Sequence, residues 1–176
     1  NPKSVYIYNA NHSPFKSTSI DENPLAENFS KNMGYELYDN NRSTRLYNLI
    51  KSYDKIDYQD FKKIKYDRTL PTPLNYNFAD LNQLFEMNPN DFPEISDLLS
   101  IIQKWDRVAN ADSYGAGAYA MMYYNLRKYY YKLKKDNIFS KEMLAECLKE
   151  VKKNMIESFG SINVKLGDYQ KLVRGN

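Results

Sequence analysis

Among its 176 residues the chain has one cysteine, one histidine and one tryptophan, and only six glycines. A lone Cys147 excludes a disulfide framework within the chain and any cysteine-built metal centre. A lone His12 excludes a histidine-rich metal site and leaves a single imidazole for acid–base work. No apolar run approaches the roughly eighteen residues of a membrane helix, so nothing reads as a membrane span. Neither charge sign is in excess: 25 Lys and Arg face 22 Asp and Glu, for a net charge of +3. That balance gives a solvated surface and no basic footprint for nucleic acid. The glycine-rich phosphate-cradle patterns and the G-x-S-x-G nucleophile elbow are also missing.

What is present is tyrosine, 17 residues of it, with abundant Lys and Asn. The length suits a single domain with its own core. The first fifteen residues read NPKSVYIYNANHSPF. From Val5 to Asn9 apolar and polar side chains alternate as in a strand, and the run then ends on a cluster of asparagines, a turn or a site. Residues 12–40 have no sustained period and read as an extended loop.

From Asn41 the period becomes helical, with Leu46, Leu49, Ile50 and Tyr53 on one stripe and Asn40 or Asn41 as N-cap. A second helix is expected over Tyr58–Tyr66, capped by Asp57, before the two prolines of Arg68–Tyr76 break the pattern. Helical spacing returns at Phe78, Leu81 and Phe85, then after Pro93 at Ile95, Leu98, Leu99 and Ile102, ending near Trp105. Further helices are predicted over Ala116–Lys135 and Lys141–Ser158, the latter capped by Ser140 and stopped by Gly160. Cys147 falls among Leu144, Leu148 and Val151 as a small buried hydrophobe. The closing VKLGDYQKLVRGN reads as strand or loop. The expected fold class is mainly α with short β segments at the ends. It comprises one helical segment over 1–176, with a strand over 1–11, a helical region over 41–158 and strand or loop over 161–176.

Three stretches invite chemistry. His12 has no serine elbow to serve and reads as a loop residue. In DSYGAGA, Gly115 and Gly117 read as permitting close approach of the long helix to another backbone. Arg42 and Arg45 lie at i, i+3 beside a helix N-terminus, where two cations oppose the macrodipole. A carboxylate or a group of carbonyls should compensate them.

Taken in order, four stretches resemble the penicillin acylase family of N-terminal nucleophile hydrolases. NPKSVYIYNANHSP is similar to the family's NPxxGyixNxNnsP; DNNRSTRLYNLI resembles its arginine-bearing helix. QKWDRVANADSYGAGA is similar to its WDG…DS.GA segment, with Arg107 in place of the Gly. GDYQKLVRG resembles the closing motif of the acyl-homoserine-lactone and lipopeptide acylase branch. A further departure is Val5, where the family often has Gly.

The resemblance implies that the chain is an internal β-subunit fragment of an αββα fold. Its nucleophile, a serine that begins the β-subunit after self-cleavage, lies upstream. The second Asn of the N-x-N pair, here Asn11, would supply an oxyanion-hole amide, and Arg42 would be the active-site arginine that holds the Asn and the terminal amine network. Asn9 would be structural. The implied partners are the α-subunit, the rest of the β-subunit and an acyl amide substrate. The resemblance implies no cofactor held by this chain, the ligands of a family calcium lying outside it, and a periplasmic or secreted setting. The isolated segment would be inactive. The rival reading from the residues themselves is a non-catalytic helical binding domain whose tyrosine-rich grooves take a glycan or a protein partner.

Overall fold

The first helix begins where a side chain can replace a missing helical partner. In the computed structural model, Asn40 is extended and its Oδ1 accepts the Ser43 N–H at 2.9 Å, while Ser43 Oγ accepts the Asn40 N–H. This reciprocal box satisfies orphan donors at the start of α1, Asn41–Lys51. The structure describes all residues except 1, 2, 5, 77, 78, 131–138 and 173–176, and the side chains of Ile20 and Tyr130. Val5 of the expected strand, Phe78, the predicted helix end at Lys135 and the last residues of the closing motif therefore lie outside the described residues.

Where one helical segment is expected, the backbone gathers into two compact units, Asn1–Asn75 and Tyr76–Asn176. The division falls at the end of the two-proline stretch, which interrupts helical pairing.

The first unit holds α1 and α2, Tyr58–Lys65, the latter capped by Asp57 Oδ1 on the Asp60 N–H. Before them, residues 6–9 take no regular secondary structure and Ala10 is a bend, so the expected strand does not form among the described residues. The alternation expresses itself as packing alone. Tyr8 is buried and stacks on His12 with ring centroids 4.8 Å apart, whereas Ile7 is 73% exposed. Tyr8 donates its N–H to the Ser17 carbonyl instead of to a ladder.

The loop that follows is built from short 3-10 turns. Asn23 braces it, Oδ1 accepting from the Ser17 and Thr18 N–H groups and Nδ2 donating to the Ser19 carbonyl. Phe15 closes it against Phe29 and Tyr35.

The second unit is helical throughout its regular elements: α3, Gln83–Glu86; α4, Ser96–Gln103; α5, Tyr114–Tyr130; α6, Lys141–Phe159; and α7, Leu166–Tyr169. Its core is the expected periodic set, with Ile95, Leu98, Leu99 and Ile102 of the α4 region fully buried beside Leu144, Leu148 and Met155 of α6. Each such side chain contributes about 1.5–3 kcal/mol by leaving water. Ser140 Oγ caps α6, and Gly160, with φ of 69°, ends it in the left-handed conformation.

Two differences from the expected elements have one cause. The long helix starts at Tyr114 because Ser113 Oγ accepts the Ala116 N–H and its carbonyl accepts the Gly117 N–H. The same carbonyl accepts the Leu166 N–H, and the Ala111 carbonyl accepts the Gly167 N–H at 2.7 Å. These long-range bonds tie residues 166–169 down as the one-turn helix α7 where strand or loop is expected. At Gly117 a Cβ would collide with the Val164 carbonyl oxygen, and at Gly115 with the Trp105 side chain. Both glycines are where close approach needs them.

Candidate functional site: a turn held by side chains

Asn11 has φ of 54°, in the left-handed region that costs most side chains roughly 1–2 kcal/mol and that Asn tolerates best. The turn that carries it is secured at each backbone polar group of Ala10 and Asn11, and every partner is a side chain. The Asn11 N–H donates to Asn9 Oδ1 at 2.8 Å. The Ala10 N–H donates to His12 Nδ1 at 3.1 Å, and His12 Nε2 lies 2.9 Å from the Lys16 carbonyl. With a donor facing Nδ1 and an acceptor facing Nε2, the geometry calls for the Nε2–H tautomer. Both ring nitrogens are thus committed to backbone.

The carbonyls are held from the head of α1. Asn40 Nδ2 donates to the Ala10 carbonyl at 3.0 Å and to the Asn11 carbonyl at 2.9 Å. Arg42 Nη2 donates to the Ala10 carbonyl at 3.1 Å. The carboxamide of Asn11 makes no hydrogen bond to any described residue, and Asn11 is exposed. Residues 9–12 and 40–42, some thirty positions apart, thus meet at one turn.

The two expected arginines find one compensating partner of each kind. Arg42 meets a carbonyl; Arg45 Nε meets Asp67 Oδ2 at 2.6 Å. Burial works against the charge of Asp67, but the Arg45 guanidinium and Thr69 overcome it and hold the carboxyl below its usual range. Beside them lies a cavity of about 370 Å³ whose lining includes Ala10, Arg42, Arg45, Leu49, Phe61 and Ile64. Behind the turn, burial and the nearby charge of Asp39 push the Tyr8 phenol up to about 12, so it stays neutral.

This arrangement can present an amide N–H to a developing negative charge; it offers no nucleophile. Ser13 is fully buried and its Oγ accepts the Phe15 N–H. Cys147 is buried in the other unit, and burial pushes its thiol up to about 11. Among the described residues no cluster of metal-ligating side chains occurs, and no helix is long and apolar enough to cross a membrane.

The sequence model of the penicillin amidase family matches residues 1–170. The chain belongs to the penicillin amidase family. No curated protein and no solved structure matches it. In this family member the turn and the helix head are the first two of the four resembling stretches. The other two, around Trp105–Ala118 and Gly167, fall on the close packing of α5 and α7 described above.

Sequence reasoning missed two members of the turn. Asn40 reads there only as a cap and His12 only as a loop residue. Their shared signal is the density of short polar side chains in the two segments, Asn9, Asn11 and His12 in one and Asn40 and Asn41 in the other, a composition suited to binding exposed backbone groups.

Proposed function

We propose that this chain is part of an acylase that cleaves an acyl amide, with its nucleophile, the N-terminal serine of a processed β-subunit, outside these 176 residues. Asn11 contributes its side-chain N–H to the oxyanion hole, and Arg42 keeps that donor in position. One observation carries the reading. Side chains satisfy the whole backbone of the Ala10–Asn11 turn, and the one polar group they leave uncommitted is the Asn11 carboxamide.

The chemistry follows from what each group can do. The serine hydroxyl attacks the amide carbon while the α-amino group of the same residue takes its proton. Charge then moves onto the carbonyl oxygen, and an N–H fixed in advance stabilises it without reorganisation. Collapse of the tetrahedral intermediate expels the amine; water then releases the acid by the same route. The left-handed backbone at Asn11 is strain of the kind that accumulates where geometry must be held.

The substrate class is an acyl amide such as an acyl-homoserine lactone, an acylated lipopeptide or a β-lactam side chain. The closing GDYQKLVRG favours the long-chain branch. A cavity of about 370 Å³ beside the turn falls in the range of roughly 300–1,000 Å³ typical of small-molecule sites. The family resemblance supports a periplasmic or secreted precursor, with the α-subunit and the rest of the β-subunit as partners.

The test is to express the full-length, processed protein and measure release of acid and amine from these three amide classes, with the isolated chain alongside. Turnover by the processed protein alone is expected. Sustained, titratable turnover by the isolated 176-residue chain would contradict the external nucleophile.

A further inference from the structure

We infer that Asn40 is a positioning residue for the oxyanion donor, a role beyond capping its helix; this rests on the reading of Asn11 given above. Asn40 uses every hydrogen-bonding group that it has. Its Oδ1 accepts the Ser43 N–H at 2.9 Å, its own N–H meets Ser43 Oγ at 2.9 Å, and its carbonyl accepts the Thr44 N–H at 3.0 Å. The two N–H groups of Nδ2 go to the Ala10 and Asn11 carbonyls.

The orientation of the carboxamide is forced. The Ser43 N–H demands the oxygen on one side, and two carbonyls demand the nitrogen on the other. Any N-capping side chain would need only the first of these contacts. Ser, Thr and Asp cap as well as or nearly as well as Asn, but none can give two N–H bonds. Asn is therefore chosen at this position by the turn, not by the helix.

The mechanical consequence is direct. The two carbonyls that Asn40 bridges flank the Asn11 Cα, one before it and one after it. Clamping both fixes the peptide planes on either side and hence the φ of 54° from which the Asn11 side chain projects. Arg42 reinforces only the Ala10 carbonyl. Behind Asn40 the clamp is anchored: Ser43 Oγ lies 3.0 Å from Asp39 Oδ1, and Asp39 pairs with Lys16 at 3.0 Å. Lys16 in turn offers its carbonyl to His12. The helix head and the turn are thus closed into one hydrogen-bonded ring, in which Asn40 is the link that touches Asn11.

Asn40→Asp separates the two roles. The carboxylate keeps the cap oxygen and suits a helix N-terminus, but turns acceptors toward the two carbonyls. In the full-length, processed enzyme we expect kcat to fall on the order of ten- to a hundredfold, the scale of a small misplacement of a catalytic group. KM should stay within a few-fold, and the melting temperature should fall by several degrees, the scale of the two hydrogen bonds lost, while the helix itself stays capped. A phosphonate mimic of the tetrahedral intermediate should lose affinity in proportion to kcat. Asn40→Ser, which keeps a cap oxygen but is too short to bridge both carbonyls, should show the same loss and serves if the Asp variant fails to fold.

The double variant Asn11→Ala/Asn40→Asp should be no slower than Asn11→Ala alone, because the clamp acts only through Asn11. Wild-type kcat in both Asn40 variants, with Asn11→Ala impaired, would overturn the clamp and leave the oxyanion reading standing. So would losses that multiply in the double variant. Wild-type kcat in Asn11→Ala would remove the oxyanion reading and the clamp with it.

Discussion

Asn9 and Asn11 stand two residues apart and use their side chains in opposite ways. Asn9 Oδ1 turns back to accept the Asn11 N–H at 2.8 Å, while the Asn11 carboxamide bonds to no described residue. One amide closes the turn, and the other is what the turn displays. Asn9→Ala should therefore lower stability by roughly 1 kcal/mol, the net worth of one local hydrogen bond. Its kcat loss should be far smaller than that of Asn11→Ala. Thermal melting and steady-state kinetics of the full-length variant check both.

Arg42 and Arg45 should separate in the same way. Lys at 42 keeps the charge but loses the planar fork that reaches the Ala10 carbonyl, so Arg42→Lys should lower kcat. Arg45→Lys can still face Asp67; it should leave kcat nearly intact and cost at most about 1 kcal/mol, since Arg45 is about one-third exposed. Equal, near-wild-type rates for both variants would reduce Arg42 to surface charge.

The Arg45–Asp67 pair also has a pH signature. The folded carboxyl titrates below its ordinary value, so its contribution is complete above the unfolded pKa of about 3.9 and disappears as pH falls through the lower folded value. Asp67→Asn should thus destabilise the protein near pH 7 and much less at about pH 2. Denaturant melts at the two pH values measure the difference, and an equal loss at both would contradict the assignment.

Gly117 lies inside a helix, where Gly→Ala ordinarily stabilises by about 0.5–1 kcal/mol. Here the sign should reverse, because the Cβ meets the Val164 backbone carbonyl and cannot be relieved by a rotamer change. A loss of roughly 1–3 kcal/mol is expected. A raised melting temperature for Gly117→Ala would show that α5 and the 164–167 segment are not packed as described.

Much of this was legible in the chain because the governing interactions are local. Asp57, Ser140 and Gly160 bound their helices within three or four residues, and the stripe from Ile95 to Ile102 identifies its own buried face. What escaped depends on distant partners. No local pattern in VKLGDYQ announces a helix, since the bonds that hold α7 come from Ser113 and Ala111. The alternation of Val5–Asn9 does not reveal that Tyr8 will pack on His12 and Tyr47 without a neighbouring strand.

The site divides similarly. Asn11 and Arg42 came from resemblance, not from spacing. Asn40 reads as a cap because its cap bond spans three residues, whereas its bonds to Ala10 and Asn11 span about thirty.

The most direct test of the whole account is kcat of Asn11→Ala in the full-length, processed enzyme, with KM and melting temperature measured alongside. An oxyanion donor acts in the transition state, so its removal should cost on the order of a hundred- to a thousandfold in kcat, roughly 3–4 kcal/mol, with KM within a few-fold. Stability should fall by roughly 1 kcal/mol, because Ala tolerates the left-handed backbone at Asn11 less well than Asn does, a loss that leaves the kcat test readable. A correctly cleaved and folded Asn11→Ala enzyme that turns over at the wild-type kcat would contradict the assignment.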